Sequence, residues 1–436
     1  MNVLTTDTPS TVEPMTGTTV GRRERWLVGI AAGLIALHVV DDNFLQPQPG
    51  TSAGDHLVGG LVPLAVIAVL VIGYFRWRPG VRAAIAGLLG FLGIVVGSEA
   101  VYYFSQGEGG GDDFTGLLAI VAGVALIGCA LTLLWRSRRL DDRRWWRYPR
   151  RALVGLAVVV CGYVVLMPLG MSYVFTHAAS SDPPAPDLGA AYEDVEFTTS
   201  DGLTLHGWYV PSRNGAAVVV VPGLSNSQDD EARMLVEHGY GVLVLLRRGE
   251  GESEGDPNML GWAASTDVHA AVDFLQSQPG IDPDRIGGLG FSVGGEILIQ
   301  AAAESDELAA IVSEGGSQRS IRELMNFDDW SKWLGAPSGV TLTAGVAVFG
   351  NEAPPPNLKD LVAEISPQAV FLIYAADGQF GEVELTDDYY AEAGDPKQIW
   401  EIPDGGHIGG YAAYPDEYEQ RVVDFFDAEL LGEAGR

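Results

Sequence analysis

The chain of 436 residues carries 57 Asp and Glu against 26 Lys and Arg, which gives a formal net charge of -31 at pH 7. This length predicts two or more domains, and so negative a charge argues against nucleic acid as a partner, because phosphate binding needs a positive surface. The cysteines, Cys129 and Cys161, both lie in apolar runs, which argues against a disulfide framework, a zinc site and a cysteine nucleophile.

The charge is distributed unevenly along the chain. Residues 1–175 contain 14 Arg, no Lys and 12 acidic residues, whereas residues 176–436 contain 12 Lys and Arg against 45 Asp and Glu. The second half resembles the acidic proteins of salt-loving microbes, whose carboxylate surfaces stay hydrated; an ordinary acidic soluble domain is the plainer alternative. The change in composition predicts a domain boundary close to residue 176.

The first part of the chain predicts a polar tail over 1–20 and an all-α transmembrane domain over 21–175. Five apolar segments are separated by short polar connections, and a helix needs about 20 residues to cross the hydrocarbon core of a bilayer. A cleaved signal peptide is the competing interpretation of the first segment, but no small-residue cleavage site follows it. The predicted spans are Trp26–Phe44, Leu57–Phe75, Ala83–Phe104, Phe114–Trp135 and Ala152–Phe175.

Arginines in alternate connections predict the orientation of these spans. Three arginines precede the first span, three lie between the second and third, and eight lie between the fourth and fifth. The other connections contain Asp and Glu but no Lys or Arg. Because positive residues remain on the cytoplasmic side, we expect the N-terminus inside and, after an odd number of spans, the residues beyond Phe175 outside.

Beyond a Pro-rich linker over 176–190, the sequence predicts alternating strands and helices. A hairpin at Phe197–Val210 precedes continuous apolar runs at Ala216–Val221 and Gly241–Leu246, each followed by a polar loop and a helical segment. Apolar runs of this kind indicate strands that are buried on both faces. The alternation predicts a mostly parallel sheet flanked by helices over 191–436.

The most informative short motif is Gly290-Phe-Ser292-Val-Gly294. It has the form of a nucleophile elbow, a sharp turn from a strand into a helix that exposes a serine hydroxyl. The turn requires small residues two positions before and two positions after the serine. The apolar run before it suits a buried strand, and the residues from Glu296 onward suit a helix.

Taken together, the motifs from about residue 190 to 432 resemble the α/β-hydrolase superfamily, in particular its esterase-like and dienelactone-hydrolase-like members. The membrane half shares none of this resemblance. The segments that carry it are DGLTLHGWYV from Asp201, the turn after Val221, RGEGESEG from Arg248, GFSVGG from Gly290 and PDGGH from Pro403. The resemblance implies an α/β-hydrolase fold, a serine nucleophile and no metal or organic cofactor.

The resemblance makes Ser292 the nucleophile of a Ser-His-acid triad. In this fold the triad follows the chain order serine, acid, histidine. Of the seven histidines only His407 follows the elbow, so it is the expected base. The backbone N–H groups of Val293, next to the nucleophile, and Leu224, in the loop after Val221, are the expected oxyanion hole. Related proteins commonly have His-Gly in that loop where this chain has Pro-Gly.

The acid of the triad is the least determined member. It should follow the strand Ala369–Tyr374, but the position where related proteins usually have Asp is Gly378 here. Its neighbour Asp377 is the first choice, Glu382 is the alternative and Glu384 comes third. A solvated surface role for Asp377 is the competing interpretation, because a shift of one residue reorients a side chain.

An aromatic-rich stretch between Gly315 and Pro356 could form a lid or pocket wall, although core packing is the commoner role of such residues. It contains Met325, Phe327, Trp330, Trp333 and Phe349.

The sequence therefore predicts a serine hydrolase of the cell membrane whose catalytic domain lies outside the cytoplasm. Its expected partners are a small ester-like substrate and the lipid bilayer. A catalytically impaired sensor or binding domain on a membrane module is the alternative, supported by the glycine at 378 and the altered oxyanion loop. A third interpretation, a transporter with an accessory hydrolase, is weakened because the ionisable residues near the spans lie toward their outer ends.

Overall fold

A computed structural model describes residues 20–106, 110–136, 144–177, 183–224, 228–321, 323, 332–379 and 381–432. Nearly all of the expected N-terminal tail lies outside these ranges, as do Met325, Phe327 and Trp330 of the aromatic-rich stretch. The chain forms two compact units. The first comprises Met1–Asp42 and Leu61–Ala152, and the second comprises Asn43–Gly60 and Leu153–Arg436.

Each of the five apolar segments is helical. The helices before the sheet are α1 Arg22–Val40, α2 Leu57–Tyr74, α3 Pro79–Val96, α4 Ser98–Gln106, α5 Asp113–Arg136, α6 Arg144–Cys161 and α7 Met167–His177. Within the described residues, five helical stretches are long and apolar enough to cross a membrane. These are Arg22–Leu45, Leu57–Tyr74, Pro79–Ser105, Asp113–Arg136 and Leu153–His177.

Helices α3 and α5 of the first unit approach each other at glycines. A Cβ added at Gly90 would lie 2.7 Å from the carbonyl oxygen of Gly123, and one added at Gly123 would lie 2.6 Å from that of Gly90. The two backbones are therefore in direct contact at this crossing. Small residues at such crossings are typical of helices that pack in membranes.

The second unit is organised around one sheet of eight strands. They follow the order β1-β2-β4-β3-β5-β6-β7-β8; β2 is antiparallel to both of its neighbours, and every other neighbouring pair is parallel. The strands are β1 Glu193–Thr198, β2 Thr204–Val210, β3 Ala217–Val221, β4 Gly241–Leu246, β5 Ile286–Phe291, β6 Ala310–Glu314, β7 Ala369–Ala375 and β8 Lys397–Ile402. This is the α/β-hydrolase fold, as predicted from the sequence.

Helices cover both faces of the sheet. The helices that follow β3 are α8 Asp229–Glu237, α9 Ser265–Gln276, α10 Val293–Glu304, α11 Ala336–Phe349, α12 Leu358–Val362, α13 Glu382–Glu392, α14 Gly410–Ala413 and α15 Pro415–Phe426, and of these α11 packs on the fifth long helix and not on the sheet. One apolar cluster packs α9, α10, α12 and α13 on one face, and a second packs α8 and α15 on the other. Strands β3 to β7 are buried along their whole length, which explains why their sequences are apolar apart from the last two residues of β6, Ser313 and Glu314.

The second unit also contains the connection 43–60 and the fifth long helix. His56 Nε2 lies 2.8 Å from Asp256 Oδ2, and Gly59 N donates to Asn351 Oδ1 at 2.6 Å. The backbone N–H of Met259 donates to Phe175 O, near the end of α7, at 2.8 Å. The sequence grouped these segments with the other spans, whereas their contacts place them with the sheet.

Candidate active site

The serine of the predicted elbow lies between β5 and α10, where the chain turns sharply. Ser292 has φ 52° and ψ -122°, a backbone conformation that non-glycine residues rarely adopt. Its N–H donates to Glu314 O, at the end of the neighbouring strand β6, at 2.8 Å. The strained turn is thus held by the sheet itself, which is the form of a nucleophile elbow.

The two glycines of the motif are required by backbone contacts. A Cβ at Gly290 would lie 2.5 Å from Gly294 O, and a Cβ at Gly294 would lie 2.1 Å from Val221 O. Any side chain at either position would force these segments apart. The spacing Gly-x-Ser-x-Gly therefore has a steric cause in this chain.

His407 lies directly against this serine. It follows β8, and its Nε2 is 2.8 Å from Ser292 Oγ. On the other side of the ring, Nδ1 is within hydrogen-bonding distance of Glu382 Oε2. A carboxylate can only accept, so Nδ1 carries the proton and Nε2 is left as the acceptor for the serine hydroxyl. This tautomer is the one that a general base requires.

The carboxylate at His407 comes from Glu382, the sequence alternative, and not from the first choice, Asp377. Glu382 is the first residue of α13, and its side chain is wholly buried. Asp377 instead accepts a hydrogen bond from the backbone N–H of Gly406 at 2.9 Å. The third choice, Glu384, lies two residues further along α13.

Gly378 leaves the space that the Glu382 side chain occupies. A Cβ at Gly378 would lie only 1.6 Å from Glu382 Oε1. The Glu382 carboxylate thus occupies the space that a side chain at 378 would need. The longer glutamate side chain reaches His407 from the start of α13 through this space.

A second buried carboxylate, Glu314, positions the histidine loop. Its Oε1 accepts from the backbone N–H of Gly410 at 2.9 Å, and its Oε2 accepts from the hydroxyl of Tyr418 at 2.8 Å. Burial raises the pKa of this carboxyl above its ordinary value. Glu314 was not among the residues predicted from the sequence; its signal was an acidic residue at the end of the buried strand β6.

Of the two predicted oxyanion donors, Val293 directly follows the serine, and Leu224 directly follows a glycine that lies beside it. Val293 is the first residue of α10. On the other side, a Cβ at Gly223 would lie 3.5 Å from Ser292 Cβ and 3.2 Å from Phe291 O. Leu224 comes next in the chain, so both residues are beside Ser292. Among the described residues, no group of three or more His, Cys, Asp or Glu is arranged to hold a metal ion.

The loop after β6 is joined to α10 by buried polar contacts. Glu296 Oε1 accepts from Ser317 N at 3.0 Å and from Ser317 Oγ at 2.8 Å. The guanidinium of Arg319 donates to the carbonyl oxygens of Glu296 and Gly261. Burial raises the pKa of Glu296 to about 7. These groups fix the start of the 315–356 insert over the elbow helix.

Residues 222–328 match the model of the X-Pro dipeptidyl-peptidase (S15) family. The uncharacterized protein YfhR of Salmonella typhi is 26% identical over 251 residues, which are 55% of this chain and 83% of that protein. The polyketide transferase grgF of a Penicillium species is 35% identical over 127 residues, which are 28% of this chain and 43% of that protein.

Among solved structures, the Pyrococcus furiosus esterase Pf2001 is similar, with 22% identity and a TM-score of 0.45. The likeness covers 57% of this chain and 100% of the esterase. The order of the eight strands and the elbow between β5 and α10 are, by themselves, those of an α/β-hydrolase fold. The carboxy-terminal half of the chain therefore has the α/β-hydrolase fold.

Proposed function

We propose that this protein is a membrane-anchored serine hydrolase with a Ser292-His407-Glu382 triad that acts on an ester or a related acyl substrate. The observation that carries the proposal is the continuous chain of contacts from the serine hydroxyl through the imidazole to a buried carboxylate. Ser292 Oγ lies 2.8 Å from His407 Nε2, and Glu382 holds the opposite ring nitrogen. Each of the three groups has the neighbour that its role requires.

In the proposed reaction, Ser292 Oγ attacks the acyl carbon while its proton passes to His407 Nε2. The negative charge that develops on the carbonyl oxygen is stabilised by the N–H groups of Val293 and Leu224. As the bond to the leaving group breaks, the imidazolium returns the proton to that group. A water molecule then attacks the acyl-enzyme, again with His407 as base, and releases the acid and free serine.

The membrane part of the proposal rests on the five apolar helices and on the arginines of the connections. With three, three and eight arginines in alternate connections, the positive-inside rule puts the N-terminus in the cytoplasm and the hydrolase domain on the opposite side. The orientation is tested in intact cells with a variant of the protein from which Cys129 and Cys161 have been removed. A cysteine introduced at Ala185 of the linker should react with a membrane-impermeant maleimide. Arg78→Cys, in a connection predicted to be cytoplasmic, is the matched control and should be protected. Labelling of Arg78→Cys together with protection at Ala185 would show that the orientation is the opposite one.

The catalytic part is tested with a fluorophosphonate probe, which labels activated serines whatever their substrate. The full-length protein in detergent should be labelled and should hydrolyse p-nitrophenyl acetate, while Ser292→Ala should do neither. Ser277→Ala, at the exposed end of α9, is the matched control and should behave as wild type. Absence of labelling in the folded wild-type protein would favour the non-enzymatic alternative.

Peptide-bond hydrolysis is a second candidate, favoured by the match of residues 222–328 to the S15 family. The same triad can cleave amides and esters. An X-Pro p-nitroanilide assayed beside the p-nitrophenyl ester distinguishes the two, since a peptidase should turn over the anilide in a Ser292-dependent manner.

A further inference from the structure

Helix α11 runs alongside the second half of the chain's fifth long helix, Leu153–His177. Ser338 Oγ–H donates to Tyr163 O at 3.1 Å. Further along, a Cβ at Gly345 would lie 2.1 Å from Ser172 Oγ, so the two helices touch at that glycine. At the far end, the ring of Phe349 meets that of Tyr173 edge-on, with centroids 5.4 Å apart.

These contacts advance together along both helices, so the two helices are parallel. The pairs run from Ser338 with Tyr163 to Gly350 with Thr176, where a Cβ on the glycine would be 3.1 Å from Thr176 Cγ2. At 1.5 Å per residue, Tyr163, beside the first turn of α11, lies about 21 Å from the end of the fifth helix at His177. Half of a bilayer's hydrocarbon core is about 15 Å. If Leu153–His177 crosses the membrane, α11 begins near the middle of the bilayer.

The composition of α11 suits that depth and contrasts with the acidic domain around it. No Asp, Glu, Lys or Arg occurs from Trp333 to Asn351. Large apolar side chains at its start are exposed: Leu334 by 66%, Trp333 by 50% and Val340 by 48%. A helix without a charged face is typical of a protein core or of a membrane, and these side chains are not in the core. Lipid is therefore the environment that fits them.

The outer end of α11 lies at the same level as the catalytic edge of the sheet. Near the end of the fifth helix, Phe175 O accepts a hydrogen bond of 2.8 Å from the backbone N–H of Met259. Two residues on, Gly261 packs against the residue that follows the nucleophile, with a Cβ built there 3.0 Å from Val293 Cγ2. The insert that contains α11 begins at Gly315, where a Cβ would lie 3.1 Å from His407 Cε1.

We propose that α11 is a re-entrant helix that enters the outer half of the bilayer beside the fifth span, and that the site takes its acyl ester from that leaflet. The substrate class is an amphipathic lipid with a carboxylic ester at the level of the headgroups and acyl chains in the membrane. The position of α11 is independent of the chemistry, whereas the substrate class rests on the proposed serine hydrolase activity. The carboxyl edge of the sheet then faces the membrane surface, and lipid reaches Ser292 along α11.

The position of α11 is tested by fluorescence in reconstituted vesicles. In the full chain without native cysteines, Val340→Cys carries an environment-sensitive fluorophore, and Asp284→Cys, in the exposed turn before β5, is the matched control. Nitroxide groups on the lipid acyl chains should quench the label at 340 and leave the label at 284 unaffected, while aqueous iodide should do the reverse. Quenching of the label at 340 by iodide and not by the lipid nitroxide would overturn the proposal.

The substrate class is tested with two esters, a fluorogenic diacyl phospholipid in vesicles and p-nitrophenyl acetate in water. An aspartate at the centre of a membrane helix costs about 3 kcal/mol, so Val340→Asp should lower turnover of the vesicle ester by tenfold or more. Turnover of p-nitrophenyl acetate and labelling by fluorophosphonate should stay within about twofold of wild type. Val340→Leu should leave both activities unchanged.

The outcomes separate the two proposals. Wild-type protein that hydrolyses neither ester and resists the probe refutes the serine hydrolase, whatever the fluorophore reports. Wild-type protein that cleaves the soluble ester but not the vesicle ester refutes only the lipid substrate. Equal loss of both activities in Val340→Asp also refutes it, because that pattern indicates a general structural role for Val340.

Discussion

Glu382→Gln is the substitution that tests the triad most directly. The Glu382 side chain is 0% exposed and holds His407 Nδ1. An amide of the same shape removes the charge that stabilises the imidazolium and can donate to Nδ1, which favours the wrong tautomer. In a serine protease the equivalent loss lowers kcat by about 10⁴, which corresponds to about 5 kcal/mol of transition-state free energy. We expect a loss of this order in kcat for p-nitrophenyl acetate, with KM nearly unchanged.

Moving the carboxylate back to position 378 supplies the complementary test. Because a Cβ at Gly378 would lie 1.6 Å from Glu382 Oε1, Gly378→Asp alone should displace Glu382 and inactivate the protein. With Glu382→Ala the space is free, and the new aspartate can reach His407. The double variant should exceed Glu382→Ala by about 10²-fold in kcat, since part of the orienting and charge effect returns.

Asp377→Asn is the matched control for both experiments. Asp377 lies five residues before Glu382, and within the part of the chain that the structure describes its side chain accepts a hydrogen bond from the backbone N–H of Gly406. Because this contact is not with His407, Asp377→Asn should lower kcat by less than about tenfold. The reasoning is refuted if Asp377→Asn loses as much kcat as Glu382→Gln, or if Glu382→Gln retains activity within tenfold of wild type. Steady-state kinetics on detergent-solubilised protein, with circular dichroism as the check of folding, decide between these results.

Two further predictions concern stability. Burial raises the pKa of Glu231 to about 7, so this carboxyl stabilises the fold while protonated and the contribution is lost as pH rises through about 7. At pH 8.5, Glu231→Gln should therefore raise the free energy of unfolding by up to about 3 kcal/mol and raise Tm with it. At pH 5 both quantities should change little, and an equal shift of Tm at both pH values would contradict this. Arg248 pairs with the wholly buried Asp267 at 2.7 Å, so Arg248→Met should cost about 3–5 kcal/mol. In the double variant Arg248→Met/Asp267→Leu, thermal melting should show most of that loss recovered, and no recovery would refute the pairing argument.

The parts of the fold that depend on local pattern could be predicted from the sequence. The buried strands appear as uninterrupted apolar runs, and the five long helices appear as apolar segments of spanning length. The elbow could be recognised because the sharp turn at Ser292 leaves no space for a side chain at Gly290 or Gly294. His407 could be assigned because chain order left one histidine.

The contacts between residues that are distant in the sequence could not be predicted. Neither the distance in sequence nor the residue type shows that Glu382 extends into the space left by Gly378. Glu314 supports the histidine loop from 96 residues away, and no periodicity marks such a contact. The partnership of α11 with the fifth helix is equally non-local, because an apolar helix gives no indication of what it packs against.

The docking of the connection 43–60 on the hydrolase domain has a consequence for assembly. His56 precedes its partner Asp256 by 200 residues, and Gly59 precedes Asn351 by 292. At the usual rate of synthesis, His56 waits roughly 10 to 40 s before its partner leaves the ribosome. In the proposed membrane protein, four more spans would be inserted after this connection before its contacts with the hydrolase domain form, so closing this junction would be a late step in biogenesis.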